Sequence, residues 1–262
     1  MNQDQSAHKL VPAVERAAGI LDIISTARRF LTVSELAREA DLPKSTVHSL
    51  CMTLVQLGLL IRRPDQTYIL GPHLLRWSNA FDRQTDIATE FAALWGQTEV
   101  VPEATVTLSV PEKAEMVFIA ARQASASNRF PARPGMRLPA AFSAAGMAIL
   151  SNWSDFEIRK TYVDGLPKPM TEKSVRSLDQ LLEVIRDVRS FGYSIEAGQC
   201  FDGVTSLGAP VLNSLNRPMA AVMLSLPSEN LAGNAQSALA QMVMSIAEGL
   251  SRRMGADLPV RD

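Results

Sequence analysis

The chain has 262 residues, 47% of them hydrophobic, and a formal net charge of −1. That length carries one large domain or two small ones with real cores, and the charge excludes a protein that is basic throughout. Its longest uncharged stretches are broken by Pro, Gly, Asn and Ser and none reaches the ~18 continuous apolar residues of a membrane span. The start, Met1-Asn2-Gln3-Asp4-Gln5, is polar and acidic, so it does not read as a secretory signal. Cys51 and Cys200 stand 149 residues apart with no Cys or His at metal-ligand spacing. Two free thiols in a reducing cytoplasm are expected, with no disulfide framework, metal site or cofactor. The first 80 residues hold nine basic and seven acidic residues and all three histidines, whereas the rest holds 17 basic and 20 acidic. The bias toward a nucleic-acid-binding end is small.

In chain order, Val14, Ala17, Ala18, Leu21 and Ile24 fall at helical spacing, with Arg28-Arg29 closing that helix. Thr32 to Glu35 has the form of a capping box, so a second helix is expected from Val33, with Leu36 and Ala37 inward and an end near Ala40-Asp41. Pro43 is suited to the first position of a third helix, and Gly58 to the left-handed position just past its end. Leu59-Leu60-Ile61 and Thr67-Tyr68-Ile69-Leu70 then read as two strands joined by the turn Arg62–Gln66. Helix, helix, turn, helix, hairpin is the order of a winged helix-turn-helix. In its third helix Val47, Leu50, Cys51, Leu54 and Leu57 form the packing stripe. Ser45, His48, Ser49, Met52 and Gln56 lie opposite, with Lys44 and Thr46 at the start. Such short polar groups suit a helix in a DNA major groove, although any surface helix also has a polar face.

Leu74, Leu75, Trp77, Ser78 and Phe81 continue at helical spacing as a linker helix, and Ile87, Phe91, Leu94 and Trp95 begin a second domain after a break near Asp82–Asp86. Thr105–Val110 and Met116–Ala120 read as strands around a turn at Pro111-Glu112-Lys113. Ala140–Leu150 and Leu178–Phe191 read as helices. Gly192–Ile195, Leu207–Leu212 and Met219–Leu226 read as strands, and Ala238–Leu250 as a closing helix. Hairpins mixed with helices predict an α+β domain with an antiparallel sheet. The expected division is 1–72 for the winged helix, 73–84 for the linker helix and 85–262 for the second domain.

The runs Leu31-Thr32-Val33-Ser34-Glu35-Leu36-Ala37-Arg38, Leu42-Pro43-Lys44-Ser45-Thr46-Val47-His48, Gly58-Leu59-Leu60 and Tyr68-Ile69-Leu70-Gly71-Pro72 closely resemble the isocitrate-lyase-regulator (IclR) family of bacterial transcription regulators. The likeness continues through Pro134–Pro139, Gly192-Tyr193, Gly208-Ala209-Pro210-Val211 and Ala220-Ala221-Val222. It covers roughly residues 10 to 250 in order. The resemblance implies a winged-helix DNA-binding domain, a linker helix and a GAF-like effector domain. It further implies a homodimer or homotetramer on a palindrome-like operator in duplex DNA. The DNA-contacting set is then Thr32, Lys44, Ser45, Thr46, His48 and Ser49, with Arg62 and Arg63 on flanking phosphates. Ser49 stands where the family often has Arg.

The resemblance also implies a site for a small organic acid, formed by the backbone of Ala144 and Ala145, by Glu196, and by Ser206 and Ser225, with Met147 and Met223 beside them. Met223 falls where members binding small oxo acids carry a serine. If both methionines line the site, an aromatic acid or similar medium-sized catabolic intermediate fits better than a tiny oxo acid; if they fill the core, they say nothing of the ligand. The function expected is a repressor of catabolic genes. A DNA-binding scaffold whose second domain only oligomerises is the alternative. An enzyme is disfavoured: Gly203-Val204-Thr205-Ser206-Leu207-Gly208 has one residue too many for a nucleophile elbow, and the second domain has no histidine. Arg129, Arg133 and Arg137 read as loop cations or carboxylate anchors. Met242, Met244 and Met254 read as packing residues and Cys51 as a packed thiol; Cys200 could be exposed, but no neighbouring group supports its reactivity.

Overall fold

Helix α1 (Pro12–Thr26) of the computed structural model starts on a proline, whose missing N–H costs nothing at that position. The structure describes residues 11–84, 86–95, 104–123, 130, 132–231 and 235–258. It divides into two units, Met1–Gln84 and Thr85–Asp262. The inward stripe of α1 is Ala17, Ile20, Leu21 and Ile24, with Ile20 the buried member. Val14 and Ala18, which the sequence placed in the apolar stripe, are exposed. Arg28 and Arg29 lie beyond the last turn, and Arg29 pairs with Glu35 instead of the α1 carbonyls.

Helix α2 (Val33–Glu39) follows the expected cap: the Thr32 amide and hydroxyl both donate to Glu35 Oε2 at 2.8 Å. Helix α3 (Lys44–Gln56) begins one residue later than the sequence suggested, with Pro43 as its cap, and Gly58 takes φ +70 just past its end. Val47, Cys51 and Leu54 are buried, but Leu57, which caps the helix and leaves its stripe, is exposed. Strands β1 (Leu31–Thr32), β2 (Leu60–Arg62) and β3 (Thr67–Leu70) form an antiparallel sheet in the order β1-β3-β2. Helix α4 (His73–Gln84) packs Leu74 on this core while Leu75 and Trp77 stay exposed. The side chains of Ser78 and Phe81 lie outside what is described.

The second unit is built on one six-stranded antiparallel sheet in the order β6-β5-β4-β9-β8-β7. Its strands are β4 (Thr105–Glu112), β5 (Glu115–Gln123), β6 (Arg137–Pro139), β7 (Ser194–Ala197), β8 (Val204–Leu212) and β9 (Pro218–Pro227). One face packs on α6 (Ala144–Leu150), α7 (Asp155–Thr161) and α8 (Leu178–Phe191); the other packs on α5 (Ile87–Trp95) and α9 (Ala235–Arg253). The β4–β5 turn falls at Lys113-Ala114, later than expected, because pairing runs on through Pro111 and Glu112. Helix α6 starts at Ala144 and not Ala140, since the Ser143 hydroxyl caps it by accepting from the Gly146 amide at 3.1 Å. Strand β7 starts at Ser194, after Gly192 has ended α8 at φ +78. Helix α7 and strands β1 and β6 were not anticipated from the sequence.

Candidate functional site

Two groups of sequence-selected residues occupy opposite environments. Lys44, Ser45, His48 and Ser49 lie on the solvent side of α3, with Thr46 half-buried beside them. The helix reaches this orientation because Val47, Cys51 and Leu54 anchor its other face in the core. Burial pushes the Cys51 thiol up to about 11, so it is an inert packing group, as expected. Thr32 is further committed than the sequence indicated: its hydroxyl is held by Glu35, whose carboxyl falls to about 2 through bonds from the Thr32 amide, Arg29 and the Thr32 hydroxyl.

The two arginines of the wing also differ. Arg62 is exposed and donates to Gln66 Oε1. Arg63 is half-buried, with its guanidinium carbon 4.2 Å from the centre of the Phe30 ring and its Nε 3.8 Å from Asp65 Oδ2. Part of its charge is therefore already answered within the domain.

In the second unit the register assembles a row of polar side chains across the sheet. Glu196 on β7 is paired with Ser206 on β8, Ser206 with Ser225 on β9, and Ser225 with Thr105 on β4. Direct cross-strand partners project to the same face, here the α6 side: Ser194, two residues before Glu196, donates to the Ala144 carbonyl at 2.6 Å. The Ser206 and Ser225 hydroxyls are 2.9 Å apart. No member of the row is more than 3% exposed. Glu196 Oε2 accepts from the Gln199 amide at 2.8 Å. Loss of water pushes the Glu196 carboxyl up to about 7, against opposing hydrogen bonds from Gln199, Ser206, Cys200 and Gly198.

Met223 lies on the same face between Gly208 and Thr107, and the Thr107 hydroxyl donates to its carbonyl at 3.4 Å. Met147 is buried on α6, and both methionines belong to the core cluster on that side. Ala144 and Ala145 are buried at the start of α6, over Gly208. The turn after β7 is tied down from outside: Thr171 donates to the Gly198 carbonyl at 2.6 Å and Ser174 to the Gln199 carbonyl at 2.7 Å.

Sequence reasoning did not find Thr105, Ser194 or Gln199. Alternation on β4 carried a signal for the first, since Thr105, Thr107 and Ser109 face α6 while Val106 and Leu108 face α9. Cys200, whose exposure the sequence left open, is buried beside Glu196, and that burial pushes its thiol up. Arg137 pairs with Glu112 and Glu115 at 3.0 and 2.8 Å, which removes it as a free anchor; Arg133 is exposed and Arg129 lies outside the described residues. Met242, Met244 and Met254 pack against the α9-side core. Ser206 sits inside a strand paired on both sides, not on the strained strand-to-helix turn that a nucleophile elbow requires. Among the described residues no helix is long and apolar enough to cross a membrane, and no group of three His, Cys, Asp or Glu is placed to hold a metal.

A winged helix presenting short polar groups, joined in one chain to a domain with a buried polar row, defines a DNA-binding regulator rather than an enzyme. Family comparison agrees. Residues 83–252 match the model described as bacterial transcriptional regulator IclR C-terminal, and residues 13–64 match the IclR helix-turn-helix domain. The chain belongs to the IclR family of transcriptional regulators. It is similar to the crystal structure of the Agobacterium tumefaciens repressor BlcR, with 37% identity, 95% of this chain and 99% of that one covered, and a TM-score of 0.76. It is 24% identical to the HTH-type transcriptional regulator BhcR of Paracoccus denitrificans, over 92% of this chain and 86% of that protein. It is likewise 24% identical to the HTH-type transcriptional regulator XynR of Escherichia coli, over 94% and 98%.

Proposed function

We propose that the chain is a repressor of catabolic genes that binds operator DNA as a homo-oligomer and is released by a small organic acid held in the second unit. Lys44, Ser45, Thr46, His48 and Ser49 face the DNA from α3, and Arg62 and Arg63 reach flanking phosphates from the wing. Leu75 and Trp77, exposed on α4, supply apolar surface for a second copy. The observation that carries the effector reading is the row Glu196–Ser206–Ser225. These groups bond to one another and to the Gln199 amide, but keeping a carboxyl and two hydroxyls in a strand core still costs more than valine and leucine would, and a polar ligand gives that cost a use. Ala144 and Ala145 flank this row, and Met147 and Met223 supply its apolar side.

That BlcR is described as a repressor supports the sign of regulation. The test is gel retardation by the full chain of the DNA upstream of its own gene. Retardation should be abolished by His48→Ala combined with Lys44→Ala and reversed by an organic acid in the wild type but not in Glu196→Gln. A double variant that still retards the DNA overturns the placement of α3, and a Glu196→Gln variant that still responds overturns the effector site. A scaffold without an effector would show no organic acid raising the melting temperature.

A further inference from the structure

The first unit carries more exposed cations than α3 and the wing account for. Arg28, Arg29 and Phe30 stand in the loop between α1 and β1, and all three are exposed. Phe30 touches the wing: the Arg63 guanidinium carbon lies 4.2 Å from its ring centre. Arg29 Nη1 donates to Glu35 Oε1 on the first turn of α2. Arg28 makes no ion pair among the described residues. The loop is thus pinned between the wing and the start of α2. Register sets its distance from the wing strands, since Leu31, just after the loop, pairs with Tyr68, whose other partner is Arg62. Two strand spacings amount to about 10 Å. Duplex DNA carries one charge per about 1.7 Å of its axis, so a span of that length holds about six. Arg62 and Arg63 cannot answer them all.

We propose that the α1–β1 loop is a third DNA-contacting element: Arg28 meets a backbone phosphate, and Arg29 neutralises Glu35 while offering its remaining N–H groups to the same backbone. This rests on the operator-binding reading above and adds contacts to the same partner. Glu35 is the reason a cation is needed here. The capping box of α2 requires its carboxylate, and bonds from the Thr32 amide, Arg29 and the Thr32 hydroxyl hold that carboxyl at about 2, so it stays ionised. A carboxylate left unanswered at this end of the unit would repel phosphates. Arg29 cancels the charge through one edge of its fork and keeps its side chain 56% exposed for a second acceptor. Phe30 sets Arg63 beside the loop, so that loop and wing present one run of cations. Contacts of this kind hold the backbone and raise affinity without reading sequence.

The test is fluorescence anisotropy of the full chain, across a salt series, on the DNA upstream of its own gene and on an unrelated duplex. The variants are Arg28→Ala, Arg28→Lys, Arg29→Ala, Glu35→Gln, Arg29→Ala with Glu35→Gln, and Lys44→Ala. Arg28→Ala should lower the salt slope by about one and weaken both duplexes by the same factor, and Arg28→Lys should restore both. Arg29→Ala should weaken binding more than Arg28→Ala does, because it also bares Glu35. Adding Glu35→Gln should recover that excess, and Glu35→Gln alone should bind at least as tightly as wild type. Glutamine still serves a capping box, so α2 keeps its start. Slopes unchanged in Arg28→Ala and Arg29→Ala but lowered in Lys44→Ala overturn the loop contact and leave α3 in place. An Arg29→Ala defect that Glu35→Gln does not relieve overturns the neutralising role. Slopes unchanged in all three single alanine variants overturn the loop and the operator reading together.

Discussion

The polar face of α3 and the polar row of the second sheet use the same side-chain chemistry under opposite solvation. On α3, lysine, serine and histidine stand in water, with a threonine half-buried beside them, and cost little until DNA arrives. In the sheet, glutamate, serine and threonine are buried at 3% exposure or less and carry a desolvation cost in every folded molecule. The first arrangement tolerates substitution in stability and shows its purpose only in binding. The second must show itself in stability as well, so the two regions can be separated by experiments that need no ligand.

The largest effect is expected where the row meets α6. A Cβ on Gly208 would lie 2.6 Å from the Ala144 backbone and 2.7 Å from Ser194 Oγ. Gly208→Ala should therefore cost about 3 kcal/mol in urea denaturation, because backbone cannot step aside as a side-chain end does. A loss within a few tenths of a kcal/mol would show that this packing is loose.

Next comes Glu196. Its carboxyl titrates at about 7 in the folded chain against an ordinary 4.5. Between those values the folded chain keeps a proton that the unfolded chain has released, so stability falls as pH rises through that window and is level below it. Glu196→Gln, neutral throughout, should match wild type near pH 4.5 and exceed it at pH 8, by up to about 3 kcal/mol. Equal stabilisation at both pH values would contradict the burial argument.

Changes on α3 should leave the unfolding curve in place and act on DNA alone. His48→Ala is expected to redistribute preference among operator variants by about 1–3 kcal/mol at the base pairs it meets. Lys44→Ala should weaken all sequences alike and lower the salt slope by about one. The smallest effect belongs to Arg63→Ala. With Phe30 and Asp65 already against its guanidinium, it should reduce that slope by less than Lys44→Ala does. A larger reduction would mean that the arginine leaves the ring when DNA binds.

The same contrast explains what could be read from the sequence. Local rules set the first region: the Thr32–Glu35 cap, the left-handed Gly58 and the buried stripe of α3 all follow from residues within one or two turns. Helix α8 was equally plain, with its amphipathic stripe running into Gly192. The misses have separate causes. Strand β1 is two residues long, too short for any period to show. The start of α6 is hidden in an alanine-rich run whose only marker is the Ser143 cap. Helix α7 did carry a legible sign, the Ser154–Glu157 capping box, whose carboxylate receives both the amide and the hydroxyl of Ser154 at 2.7 Å. Glu196, Ser206 and Ser225 came from family likeness, because residues 29 positions apart become neighbours only through register. Thr105 needed the folded sheet.

One join in the first unit has a mechanical consequence. The His73 ring donates from Nδ1 to the Leu57 carbonyl at 2.8 Å, its amide donates to the Gly58 carbonyl at 3.2 Å, and the Gly71 amide donates to the Leu59 carbonyl at 2.8 Å. Any side chain at position 71 would strike the Gly58 carbonyl at 2.2 Å, so the two segments already touch. Helix α4 therefore meets the end of α3 as a bolted joint, without slack to absorb a turn. Its 12 residues make a lever about 18 Å long. A twist applied at its far end would reach the Leu57 carbonyl, which caps the helix proposed to face DNA, with the histidine as the bolt.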